Sequence, residues 1–213
     1  MRRSLLAIPA IAAGLATIAL VLPAFAETRA FNLSGFTEIS ASASADVVLK
    51  QGPYSVSVET NKGDFKDLVL EVRGDTLVVG RKSSGWNWGN GVHYTVTVTA
   101  PSIDELHASS SADIVASGYR FNNLNVGVSS SGNVTLSGSC TNLDLEVSSS
   151  GDFRGADLHC ENATVAASSS GDADVFASKS ANGTASSSGD VRIHGKPPTF
   201  DKSTSSSGSV KVL

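Results

Sequence analysis

The phrase Ser-Ser-Ser-Gly-Asp occurs at residues 148–152, 168–172 and 186–190, with near copies at Ser109–Asp113, Ser129–Asn133 and Ser205–Ser209. The last positions of the six copies are 113, 133, 152, 172, 190 and 209, so the phrase returns every 18 to 20 residues. A fixed period of this length marks a solenoid, in which each repeat buries its apolar face only by stacking on its neighbours. Between the phrases the sequence alternates, as in Leu124, Val126, Val128, then Leu143, Leu145, Val147, then Ala163, Val165, Ala167. Each stretch reads as a strand with one face turned inward. A second strand follows each phrase, carried by Val134 and Leu136, Ala173 and Val175, Val191 and Ile193, and Val210 and Val212. The predicted fold is all-β, a parallel β-solenoid of about 19–20 residues per coil.

The phrase itself is expected to be the corner of each coil. Stacked coils lie about 4.8 Å apart, so only small side chains fit at a sharp bend. Glycine is expected to supply a backbone conformation that other residues avoid, and serine hydroxyls to meet backbone groups that the bend leaves unpaired. The residue that ends each phrase, Asp113, Asn133, Asp152, Asp172 or Asp190, is expected to close a local turn through its own side chain. A competing reading treats these residues as a carboxylate column relieved by a cation. Calcium-binding β-rolls repeat every nine residues with more glycine, so no metal and no cofactor is expected.

Two further columns follow from the same ruler. Asn123, Asn142 and Asn162 each stand ten residues before the end of the next phrase, which predicts a ladder of stacked amides. Cys140 and Cys160 each stand twelve residues before it, on adjacent coils and within disulfide reach. A structural disulfide is expected, as is usual for exported proteins.

The front of the chain, residues 27–106, lacks the full phrase and is expected to form antiparallel β-hairpins that cap the first coil, ahead of repeat coils over residues 107–213. Its turn signals are Gln51-Gly52-Pro53, Asn61-Lys62-Gly63-Asp64 and Arg73-Gly74-Asp75. Both tryptophans lie in one glycine-rich connection and are expected to fold back onto the body; the rival reading makes Trp86, Asn87 and Trp88 candidate binding residues of a sugar-stacking or protein-contact site. At the other end, residues 208–213 carry no covering segment, with Lys211 as a guard, which raises end-to-end pairing of two copies as a homo-oligomer.

Residues 1–26 read as a signal peptide: Arg2 and Arg3, an apolar run, then Ala24-Phe25-Ala26 as the cleavage site. An exported domain over residues 27–213 is expected, periplasmic, on the cell surface or secreted, with no membrane segment after cleavage; the alternative is that the apolar run Leu5–Leu22 is retained as a membrane anchor. Loss of Arg2 and Arg3 takes the formal charge from −4 to −6, and no basic stripe appears, which excludes a nucleic-acid surface.

The layout Phe36-Thr37-Glu38-Ile39, Ala45-Asp46-Val47-Val48-Leu49-Lys50-Gln51-Gly52, Gly74-Asp75-Thr76-Leu77-Val78-Val79 and Pro101-Ser102-Ile103-Asp104-Glu105-Leu106, followed by Ser-Gly-Asp corners, resembles the putative auto-transporter adhesin head GIN domain family. The resemblance implies an exported bacterial β-helix-like domain. A non-catalytic binding or adhesion module is the leading expectation, with an envelope glycan or protein as partner. The alternative is a structural or stress-related envelope protein. A polysaccharide-cleaving enzyme ranks third, because Asp157, His159 and Glu161 read as a solvated outer face rather than converging acid and base groups.

Overall fold

The computed structural model describes residues 27–61, 65–82 and 92–213. The expected signal peptide at residues 1–26 and the loop holding Trp86, Asn87 and Trp88 lie outside the described residues. No helix among the described residues is long and apolar enough to cross a membrane.

The coils are built from two strand columns. One column stacks β6 (Thr76–Arg81), β2 (Glu38–Ala41), β8 (Glu105–Ala108) and β10 (Asn123–Val128), then the second halves of β11 (Asn133–Val147), β12 (Asp152–Ala167) and β13 (Asp172–Ala185), and last β15 (Thr199–Thr204). The other stacks β7 (Tyr94–Ala100), β3 (Ala45–Gln51), β9 (Asp113–Arg120), the first halves of β11, β12 and β13, then β14 (Asp190–His194) and β16 (Ser209–Val212). Every pairing within a column is parallel, as the periodicity predicts. Inward residues alternate with outward ones along the central rungs, and the inward side chains shrink along the axis from Leu124 and Leu143 to Ala163 and Ala181.

Antiparallel strands cover the N-terminal end: β5 (Leu68–Arg73) on β6, β4 (Ser55–Thr60) on β7, and β1 (Glu27–Phe31) on β4. The front half also contributes coils of its own. Asp46 is the register partner of Asp113, so Ser42-Ala43-Ser44-Ala45-Asp46 is another corner of the solenoid. β2 and β3 sit between β6 and β7 on one side and β8 and β9 on the other, so stacking order departs from chain order. The inserted strands β4 to β7 separate this corner from the next copy, which is why a fixed period misses it.

The corners correct the expectation about glycine. The residues with left-handed backbone are serines, at φ 59° for Ser149 and Ser169 and 57° for Ser187, whereas Gly151, Gly171 and Gly189 stay outside that region. Glycine is there for space: a Cβ on Gly171 would lie 3.0 Å from the Val147 carbonyl carbon, and one on Gly208 would lie 2.6 Å from the Ala185 carbonyl oxygen. Each corner closes by a backbone bond from its fourth residue to its first, such as Gly171 N–H to Ser168 O at 3.0 Å.

The corner peptides also bond along the axis, and their direction reverses once. Ser44 and Ser111 donate toward later coils, to Ser110 O and Ser130 O at 3.1 and 3.3 Å. Ser170 and Ser188 donate toward earlier ones, to Ser149 O and Ser169 O at 2.8 and 2.7 Å. The first group has positive φ at both central residues and the second at one, so the central peptide has flipped. Between the corners at Ser130 and Ser149, the N–H groups of Ser131 and Ser150 therefore face one another with no backbone carbonyl between them. Amide exchange measured by NMR should be fast at Ser131 and Ser150 and slow at Ser170 and Ser188. Equal protection at all four would contradict this arrangement.

Candidate functional site

With apolar side chains consumed by the interior, the outer faces carry the chemistry. The ladder of asparagines forms as predicted: Asn142 Nδ2 donates to Asn123 Oδ1 at 2.7 Å, Asn162 Nδ2 to Asn142 Oδ1 at 2.9 Å, and Ser180 Oγ to Asn162 Oδ1 at 2.7 Å. Each such bond contributes about 1 kcal/mol net, and the chain of them fixes coil register. Beside this ladder, Asn125, Asp144, Thr164, Asn182 and Asp201 are successive register partners. The two columns line an open trough of about 370 Å³ in which hydroxyl, amide and carboxylate groups repeat once per coil.

A recess of about 380 Å³ lies where Gly127 interrupts the next column between His107 and Glu146. A Cβ on Gly127 would lie 2.4 Å from His107 Nδ1, so the imidazole occupies the missing side chain's space. The same imidazole pairs with Glu105.

On the other strand column, the residues that end each corner form the predicted stack: Asp46, Asp113, Asn133, Asp152, Asp172 and Asp190. They do not close their own turns. Asn133 Nδ2 instead donates to Asp113 Oδ1 at 2.8 Å, and Arg154 reaches Asp152 at 2.7 Å. Arg192 lies 3.9 Å from Asp190. The Asn133 amide separates Asp113 from Asp152 in the column, while Arg154 and Arg192 pair with Asp152 and Asp190 of their own coils. Asp46 lacks such a separator from Asp113: burial first, then the Asp113 charge, raise its carboxyl above the ordinary value, with His93 opposing. Among the described residues, no group of three His, Cys, Asp or Glu is placed to hold a metal ion.

Cys140 and Cys160 are register partners and form the expected disulfide, with Cα atoms 4.4 Å apart. Closing a loop of this length contributes about 3 kcal/mol. Tyr119 is a core group rather than a reactive one. Its hydroxyl donates to Ala100 O at 3.0 Å, and burial pushes it up to about 12.

Asp157, His159 and Glu161 do not converge. Asp157 is exposed, His159 packs edge-on against Phe176 with ring centroids 4.4 Å apart, and Glu161 pairs with Lys179 at 2.6 Å. The period did not reveal the column His159, Phe176, His194. These residues stand thirteen, fourteen and fifteen before the ends of their next corners, because the stretch that follows the column lengthens by one residue per coil: Glu161 alone stands against Ser178 and Lys179, and residues 177–179 against residues 195–198.

A parallel β-solenoid that carries open polar troughs along its length belongs to the class of elongated scaffold domains. The chain is a member of the family described as putative auto-transporter adhesin, head GIN domain, whose model matches residues 35–197. It is similar in fold to a solved putative adhesin from Bacteroides fragilis NCTC 9343, at 16% identity and TM-score 0.70, with 89% of this chain and 98% of that chain covered. It is also similar to a solved putative lipid binding protein from Parabacteroides distasonis ATCC 8503, at 22% identity and TM-score 0.53, with 90% and 98% covered. Among curated proteins, none matches the chain.

The Asp46 carboxyl gives a pH-dependent prediction. A raised carboxyl value means that ionisation costs stability above that value and nothing when the group is protonated. Asp46→Asn should therefore raise the melting temperature at neutral pH and leave it nearly unchanged well below the ordinary carboxylate range. An identical shift at both pH values would contradict the assignment.

Proposed function

We propose that this chain is a non-catalytic binding module of the bacterial envelope that holds an extended ligand, a glycan or a protein segment, along its outer face. The trough beside the asparagine ladder carries this reading. It is open, and its hydrogen-bonding groups repeat once per coil. A repeating row of donors and acceptors suits a partner that itself repeats, and the outer residues are free to vary without disturbing the core.

Membership of an adhesin family supports a binding role, and the disulfide fits an exported protein. Trp86 and Trp88, with Asn87 between them, are a second proposed contact on the strength of their sequence context. Acid–base catalysis would call for convergent titratable groups. Asp157, His159 and Glu161, the trio considered for it, have separate surroundings: Asp157 is exposed, His159 packs on Phe176 and Glu161 pairs with Lys179.

The test is binding of the purified protein to a glycan array and to isolated envelope fractions, beside an Asp144→Ala, Asn182→Ala variant and a Trp86→Ala, Trp88→Ala variant. Saturable binding weakened by either folded variant supports the reading. Absence of binding in every arm would leave a structural role in its place, and turnover of any glycan would overturn the non-catalytic assignment.

A further inference from the structure

Phe176 is an aromatic side chain that faces outward. It alternates with the buried Val175 and Ala177 and lies outside the cluster of core residues. The His159 ring packs against it, and His194 is its register partner on the following coil. A Cβ on Gly195 would lie 3.0 Å from the Phe176 Cζ, so the ring extends over a position kept free of a side chain. Sheet surfaces in contact with water normally place polar residues at such positions. An aromatic ring framed by two imidazoles and a glycine is an unusual occupant.

Next to these rings is a recess of about 230 Å³ lined by Arg154, Asp172, Asp174 and Arg192. Most of these groups already have partners: Arg154 is paired with Asp152 at 2.7 Å and Arg192 with Asp190 at 3.9 Å, and Asp174 is hydrogen-bonded to the His194 ring at 2.5 Å. Asp172 stands between Asp152 and Asp190 in the column with no bond to either. Three aspartates, Asp152, Asp172 and Asp174, against two arginines leave the recess with a small net negative charge. That excess disfavours an anionic polymer, and both arginines are already paired with carboxylates. The half-buried Phe176 ring beside His159 offers an apolar surface next to the recess, and the carboxylate and guanidinium edges offer bonds to hydroxyl groups.

We propose that the Phe176 ring and the Arg154/Asp172/Asp174/Arg192 recess form a subsite for a neutral glycan, with one pyranose face on the ring and its hydroxyls on the recess. The subsite lies on the opposite strand column from the asparagine trough and shares with the reading above only the premise that the module binds a ligand.

The experiment measures binding of the purified protein to immobilised dextran, mannan and galactan, with polygalacturonate and polylysine as charged comparisons, at low and high salt. Neutral polymer should bind with little salt dependence. Phe176→Ala should weaken that binding by about tenfold or more, and Asp172→Asn by a smaller factor, in variants whose circular dichroism shows the native β-fold at the assay temperature. Neutral-glycan binding that survives both variants and is lost only on changing Asp144 and Asn182 would overturn the subsite and leave the binding module standing. Retention on polylysine alone, collapsing at high salt, would replace the glycan with a cationic polypeptide. Failure to bind any probe would overturn both the subsite and the broader reading.

Discussion

The structure depends on one constraint, the spacing of about 4.8 Å at which parallel coils hydrogen-bond. Each coil must present at every position a side chain compatible with the one directly above and below it. Inside, this gives columns of aliphatic residues that thin from leucine to alanine. Outside, polar residues that would be unrelated neighbours in other folds become bonded partners, as along Asn123, Asn142, Asn162 and Ser180. At the corners it excludes a Cβ at Gly151, Gly171, Gly189 and Gly208, and it forces serine into a left-handed backbone. A serine in that region costs on the order of 1–2 kcal/mol, which the axial bonds of the same corner offset.

The same constraint governs charge and the ends of the stack. The column of carboxylates is interrupted by Asn133 and flanked by Arg154 and Arg192, and at its front Asp46 is held neutral to higher pH by burial first and then by the Asp113 charge. At the N-terminal end, antiparallel strands occupy the open hydrogen-bonding edges. In the last coil, Lys202 and Thr204 are exposed although their register partners Gly183 and Ala185 are buried. A charge at an inward register blunts an edge against further stacking, a role expected only of Lys211 from the sequence.

Much of this architecture was legible because a solenoid writes its geometry as a period. The coil length, the asparagine ladder, the column of corner residues and the Cys140–Cys160 pairing all follow from counting back from one phrase. The ruler failed where the chain left it. Ser42–Asp46 belongs to the stack, yet strands inserted after it hide the repeat, so coils in the front half read as hairpins. The segment after the His159, Phe176 and His194 column grows by one residue per coil, so counting back from the next corner conceals that column. The role of glycine was misjudged because composition reports which residues a corner contains, not which of them carries the strained dihedral. Two peptide orientations close the same corner, and no side chain records the choice between them.

The central claim is that outward residues of successive coils stand in direct register, and paired cysteines test it most directly. Asp144 and Thr164 are partners on adjacent coils, whereas Asp144 and Asn182 are two coils apart. Peptide mapping by mass spectrometry after mild oxidation should find a new bridge, beside the native disulfide, in an Asp144→Cys, Thr164→Cys variant. It should find none in an Asp144→Cys, Asn182→Cys variant, whose Cα atoms are about 9.6 Å apart, beyond disulfide reach. A bridge in the second variant and none in the first would contradict the register on which the whole account is built.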